Sequence, residues 1–290
     1  MQVTPQRIAD THDILGETPV WCAEEEALYW VDVRKPALHR FDMATQAVKS
    51  WTMPELIGSI SLCENGDILV ALRSSVQRFD PATERMTLVA VPESGNAQMR
   101  LNDGKSDRRG RFWVGSMNDV TRGPEGTLYR IEGASDCAPM LRNIIVPNSL
   151  SWSPDDRTMY FAGPGLRTLF AFDFDPDEGT LSGQRVLAEY PAPSVPDGAT
   201  VDAEGFIWCA AYDGWRITRF APDGRIDRVI ELPVQSPTSV TFGGPDLRTL
   251  FVTTATQRIA PDALARQPLA GSLLALDVGV AGLPDGRYLG

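Results

Sequence analysis

Six positions, Glu17, Gly58, Asn102, Asn148, Asp197 and Ser239, stand eleven or twelve residues ahead of the second residue of a recurring apolar run, and five of the six are polar. Equal phase in a repeated unit puts residues at equivalent places in space, so these side chains should converge. Two carboxylates, two amides and a hydroxyl meeting at one point make a polar binding site. Just beside Asn102 stand Arg100 and Asp103, ahead of Gly104. The chain has only two histidines, His12 and His39, both off the phased positions, and it has no GxSxG, Walker loop or HExxH. Ser-His-Asp hydrolysis is therefore disfavoured, since neither histidine falls among the phased positions. Taken singly, each candidate has an ordinary explanation. Glu17 reads as an exposed strand-end carboxylate and Asn148, after Pro147, as a turn residue. Asp197 lies in a Pro-Asp-Gly that recurs at Pro222 and Pro284 as plain turns. The shared phase is what singles them out.

The elements that would position these residues are strands. LYWVD from Leu28, ILVAL from Ile68, FWVGS from Phe112, MYFAG from Met159, IWCAA from Ile207 and LFVTT from Leu250 start 40 to 48 residues apart. That is the period of four-stranded propeller blades, and six runs give six blades. The strand that follows each phased position would be the innermost, so the polar ring would open at one mouth of the axial channel. In RLNDGKSDRRGRFWVGSM, Arg100 to Met117, the phased Asn is joined to its apolar strand by a hairpin turn at Asp107 to Gly110. The TRGPEG loop after Asp119 is long enough to lean over the mouth. DFDPDEG, Asp173 to Gly179, opens like an EF-hand loop, but its Gly is one position late and Gln184 replaces the bidentate Glu, so an acidic hairpin turn is expected. ALARQPL reads as helical, and pairing of Val3–Ile8 with Gly286–Leu289 is expected to close the ring.

Composition narrows the function. A chain of 290 residues with 43% hydrophobic content can bury a large core, and an all-β architecture of this size runs as one domain, 1–290. No apolar run approaches membrane-span length, and MQVTPQRIAD lacks the charge and apolar stretch of a signal peptide, so a cytoplasmic location is expected. Cys22, Cys63, Cys137 and Cys209 have no CxxC spacing and read as free thiols. A net charge of −11 argues against nucleic acid and anionic membranes as partners.

The motifs LGETPVW, RLNDGKSDRRGRFWVGSM, PNSLSWSPDD and PDGATVDAEGFIW, in this order and at blade spacing, resemble the regucalcin and gluconolactonase family, the senescence-marker-type lactonases. Segments such as GGPDLRTLFVTTA and PLAG look most similar to its sugar-lactone hydrolases. The resemblance implies a six-bladed β-propeller with one divalent metal on its axis, held by Glu17, Asn148 and Asp197. It also implies substrate contacts from Arg100 and Asn102, and from Asp119 near a further contacting position.

An all-oxygen set of two carboxylates and an amide suits calcium, magnesium or manganese and does not exclude zinc or ferrous iron. The expected activity is metal-dependent opening of an aldonolactone, with Asp197 as general base. The alternatives are a calcium-binding protein without turnover and an organophosphate esterase on the same metal. Two positions depart from the family pattern: Thr18 and Ser149 stand where it has glycine. Since a β-branched residue takes positive φ only at a cost, the backbone at Thr18 is expected to stay in the β region.

Overall fold

Each apolar run becomes the second strand of a four-stranded antiparallel sheet, and six such sheets surround one axis in a computed structural model that describes residues 3–133 and 136–290. Met1 and Gln2, which began the N-terminal reading, lie outside the described residues. Ala27–Asp32, Ile68–Leu72 and Ile207–Tyr212 are buried at every position. Neighbouring blades cover both faces of these strands, so their sequences are continuously apolar instead of alternating. Outer strands such as Thr180–Glu189 are mostly exposed and correspondingly polar.

The core is accordingly divided into wedges between blades. Trp113, Trp152, Met159 and Phe161 fill the gap between blades three and four, and Trp21, Trp30 and Phe251 fill the gap between six and one. Similar apolar clusters occupy the other four gaps.

Where the inner strand of blade three ends, Asp107 organises the turn read in the sequence. Its Oδ2 accepts from the Trp113 indole at 2.9 Å and from Arg111 Nε at 2.7 Å, while Oδ1 accepts the backbone N–H of Arg109 and Arg111. Asp202 repeats the device in blade five with Trp208 and Arg219. The DFDPDEG turn joins two paired strands, and its carbonyls at Pro176 and Asp177 accept from Arg111. The four cysteines are free. No helix is long and apolar enough to cross a membrane among the described residues.

Two expectations are corrected. ALARQPL is not a helix as a whole; the helical turn is Pro261–Leu264, because Pro268 cannot continue the ladder. Ring closure does not pair the two chain ends with each other. Instead Gln6–Asp10 adds to Ser272–Asp277 as the outer strand of blade six, a position whose edge would otherwise be open.

The C-terminal segment takes a different course. Residues 282–290 cross the end of the propeller where the inner strands finish, with Gly282 bridging to Asp202 and Tyr288 to Cys63. Asp285 pairs with Lys105 at 3.0 Å and accepts from Thr241, Arg287 pairs with Glu24, and Leu289 N–H donates to Gly110 O. The strap thus touches five of the six blades. Asp223, by contrast, sits in an exposed turn and pairs with Arg225.

These placements separate two residues that share the Pro-Asp-Gly context with Asp197. Asp223→Ala should leave lactone turnover and melting temperature near native. Asp285→Ala should also keep near-native turnover while lowering the melting temperature by about 1–3 °C, through loss of the Lys105 pair. Thermal unfolding beside a kinetic assay checks both, and a large loss of turnover in either would undermine the phase argument.

Candidate functional site

In every blade the inner strand loses register with the second strand near the phased position: Glu17/Val20, Ile57/Ser59, Leu101/Gly104, Asn148/Ser151, Pro196/Ala199 and Pro237/Ser239. A bulge inserts an unpaired residue and re-aims its neighbours, which is how one extended strand can serve both a blade and a site. Glu17, Asn102, Asn148 and Asp197, with Arg100, line one cavity of about 280 Å³ at the mouth. Gly58 and Ser239 do not line it. At Gly58 a Cβ would lie 2.5 Å from Leu101 O, and at Gly198 it would lie 2.0 Å from Ser239 Oγ, so these positions are where adjacent inner strands touch.

The bulges overturn the expectation for Thr18, which takes φ +46°, as Ser149 takes φ +64°. In blades one and four the left-handed residue lies within the bulge, and local preference yields there. Each hydroxyl then reaches the next blade at a phased carbonyl: Thr18 Oγ1 donates to Gly58 O at 3.4 Å, and Ser149 Oγ donates to Asp197 O. These bonds partly offset the strain and fasten blade one to two and blade four to five.

The polar residues form a connected row. Arg100, 2% exposed, donates through Nε to Asp119 Oδ1 at 3.0 Å and through Nη1 to Asn102 Oδ1 at 2.5 Å. Asn102 Nδ2 donates to Asn148 Oδ1 at 2.8 Å and to Pro147 O at 2.9 Å. Asn148 Nδ2 in turn faces Pro196 O at 3.4 Å. The amide oxygen of Asn148 is thereby fixed and keeps a second lone pair.

Asp119 stands behind Arg100, outside the residues that line the cavity. It accepts both Nη atoms of Arg34 at 2.8 Å, Arg100 Nε, and Arg122 Nη2 at 3.2 Å. Burial alone would raise its pKa, but Arg34 and Arg100 outweigh burial and hold the carboxyl well below its usual range. Its folded pKa is therefore below the unfolded value, so its stabilisation is present above roughly pH 4 and fades as pH falls further. Asp119→Asn should lower kcat/KM by about 10- to 100-fold through a loosened Arg100. Wild-type and variant melting temperatures should differ at neutral pH and converge in acid; a gap that persists in acid would refute the charge account.

The floor of the cavity is acidic and self-repelling. Burial raises Glu17 well above its ordinary pKa, and Asp197 and Asp103 add to the rise, while Arg100 opposes it. Asp197 is likewise raised by burial and then by Asp103. Asp103 is raised by burial despite a bond from Leu150 N–H at 3.3 Å. Arg100, the cation that eases Glu17 and Asp197, is itself pushed down to about 10 by burial. Neither Glu17 nor Asp197 has an ion pair among the described residues, because Arg100 is committed to Asp119.

Two oxygen-bearing anions held beside a fixed amide oxygen fit a divalent cation, which would relieve that repulsion. No cluster of three or more His, Cys, Asp or Glu side chains suited to a metal occurs among the described residues, so any such site uses Asn148 as its third protein donor.

Sequence reasoning named Asp103 without giving it this electrostatic part, and it missed Arg122, Gln257 and Arg258 on the cavity wall. Arg122 lies in the TRGPEG loop expected to lean over the mouth, which was the available signal. Gln257 and Arg258 follow Thr249–Thr254, where no repeat pattern points to them.

The sequence profile of the SMP-30/Gluconolactonase/LRE-like region matches residues 15–256. The chain belongs to the SMP-30/gluconolactonase family. Within that family it is 34% identical, over the whole of both chains, to a 6-deoxy-6-sulfogluconolactonase of Pseudomonas putida. It is 32% identical to a pentonolactonase of Haloferax volcanii, with 98% of each chain covered. Among solved structures, a calcium-binding regucalcin from Agrobacterium tumefaciens superposes with a TM-score of 0.94 at 26% identity, covering 99% of this chain and 98% of that one.

Proposed function

We propose that this member of the SMP-30/gluconolactonase family hydrolyses a sugar lactone with the help of one divalent metal ion. The observation that carries the reading is the convergence of Glu17, Asn148 and Asp197 on one cavity beside the buried Arg100. Family relatives named as lactonases supply the substrate class. Glu17, Asn148 and Asp197 would hold the ion, whose chemistry when bound is Lewis-acid polarisation of the lactone carbonyl and acidification of nearby water.

The rest of the reaction falls to the chain's own groups. Asp197 takes a proton from the attacking water, whose oxygen bonds to the carbonyl carbon. Arg100 donates to the oxygen that gains charge, and its attachment to Asp119 and Asn102 fixes its direction beforehand. The ring C–O bond then breaks, the leaving oxygen takes the proton that Asp197 holds, which restores the base, and the aldonic acid ionises. Asn102, tied to both Arg100 and Asn148, orients sugar hydroxyls.

Chelated protein incubated with pentono- and hexonolactones in weak buffer, with each divalent ion restored in turn, tests this directly. Acid release that depends on the ion is expected. The competing reading, calcium binding without turnover, is favoured by the Agrobacterium relative, which is described as a calcium-binding protein. Stoichiometric calcium binding with no acid release above the buffer blank would establish it instead.

A further inference from the structure

The cavity has two electrical ends. Its floor holds Glu17 and Asp197, but its rim carries Arg122 and Arg258, on loops from blades three and six. Around that rim cations outnumber anions. Arg34, Arg100 and Arg122 all converge on the single carboxylate of Asp119. Arg258 forms no ion pair among the described residues, and Asp213, the one carboxylate beside it on the same wall, accepts from Gln235 and Ser236 instead of from an arginine. Three guanidinium groups share that one carboxylate and Arg258 has none, so at the rim, as distinct from the acidic floor, arginines outnumber carboxylates, in a chain whose net charge is −11. Such an excess is a cost to the folded protein unless something negative arrives.

Arg122 shows that cost in its surroundings. Its Nε is buried without a hydrogen-bond partner. Burial, with Arg258 and Arg34 adding to it, lowers its pKa even against Asp119. Both rim arginines also occupy left-handed backbone, at φ +55° for Arg122 and +61° for Arg258, where a glycine or asparagine would sit more cheaply. Strained residues with long charged side chains, placed from two separate loops around one opening, are characteristic of a ligand clamp.

We propose that the rim binds an anionic substituent of the substrate remote from its lactone carbonyl, so that the substrate class is an aldonolactone bearing a carboxylate, phosphate or sulfonate at its far end. The inference rests on the lactonase reading for the other end of the molecule. Guanidinium forks suit all three oxyanions, since each offers paired acceptor oxygens. The cavity, about 280 Å³, has room for a single sugar ring with such a group. Arg258, unpaired and exposed, would meet the anion first, while Arg122 is braced through Asp119 to the same carboxylate that braces Arg100.

The experiment compares kcat/KM for a neutral hexonolactone with its analogues carrying a terminal carboxylate, phosphate or sulfonate, in wild type, Arg258→Gln and Arg122→Gln. Wild type should favour at least one anionic analogue by about tenfold or more, chiefly through KM. That preference should shrink as salt rises from 20 to 300 mM, in the order of ~10 to ~2-fold, because the rim is open to screening. Arg258→Gln should reduce the anionic-to-neutral ratio by about tenfold, and Arg122→Gln by a comparable factor. Which analogue wins identifies the oxyanion.

A ratio near one in wild type, or an equal loss on neutral and anionic substrates in both variants, overturns the proposal. Should no lactone be hydrolysed, the lactonase reading fails by itself. The rim is then still tested by calorimetry with the corresponding open-chain acids, where a dibasic aldonate should bind more tightly than the monobasic one and lose that margin in Arg258→Gln. Circular dichroism confirms that both variants keep the propeller.

Discussion

Asp197→Ala should lose bound metal and at least about a thousandfold in kcat/KM, while its propeller melts within a few degrees of wild type. Asp197 has no ion pair among the described residues, and its carboxyl is raised by burial and by Asp103, so its ionised form burdens the fold instead of stabilising it. Removing such a group costs the fold little and can even help it. Asn148→Ala should follow the same course with a smaller loss, since it removes one neutral donor but leaves Asn102 Nδ2 with Pro147 O as partner. Elemental analysis, lactone kinetics and thermal unfolding on the same preparations decide the matter. Metal retained with activity lost would make Asp197 a proton carrier only. Unfolding of both variants would show that turn residues had been mistaken for ligands.

Arg100→Ala should keep close to one metal ion per chain and lower kcat/KM by about 30- to 1,000-fold, mostly in kcat. A guanidinium has no lone pair to give a cation, so beside an acidic floor it must face something polar that arrives between them. It is already oriented: Asp119 and Asn102 hold it, at 3.0 and 2.5 Å, before any ligand enters. Its removal frees Asp119 for Arg34 and Arg122 alone and leaves Asn102 Oδ1 without its donor, so some stability should be lost as well. Arg100→Lys, which keeps the charge but not the fork, should recover stability better than rate. Metal stripped from Arg100→Ala, with full activity on its return, would sink the assignment.

The architecture was legible in the sequence because second strands are covered on both faces. LYWVD and ILVAL stay apolar at every position, and that uninterrupted pattern repeats at blade spacing. The polar row was legible because the turn between inner and second strand is nearly constant in length, which keeps Glu17, Asn102, Asn148 and Asp197 in phase. The same reasoning could not reach Arg122 and Arg258: they lie on connections whose lengths differ from blade to blade, so no phase relates them.

Ring closure was misread for another reason. Pairing of Gln6–Asp10 with Ser272–Asp277 joins segments at opposite ends of the chain, and neither carries a local sign of its partner. Thr18 illustrates a third limit. Its intrinsic preference argued for extended backbone, but within the bulge of its strand it takes φ +46°.

The strap at residues 282–290 settles how traffic must run. It lies across the end of the propeller where the inner strands finish, held to Cys63, Lys105, Asp202 and Glu24, while Glu17 and Asp197 open at the other end. The strap covers that end, which leaves the mouth as the door to the cavity. An incoming lactone and an outgoing acid must use that door in turn, past the same two arginines. Accumulating acid will queue at the entrance, raising the apparent KM for lactone without lowering the limiting rate, and thickening the solvent will slow arrivals and departures alike.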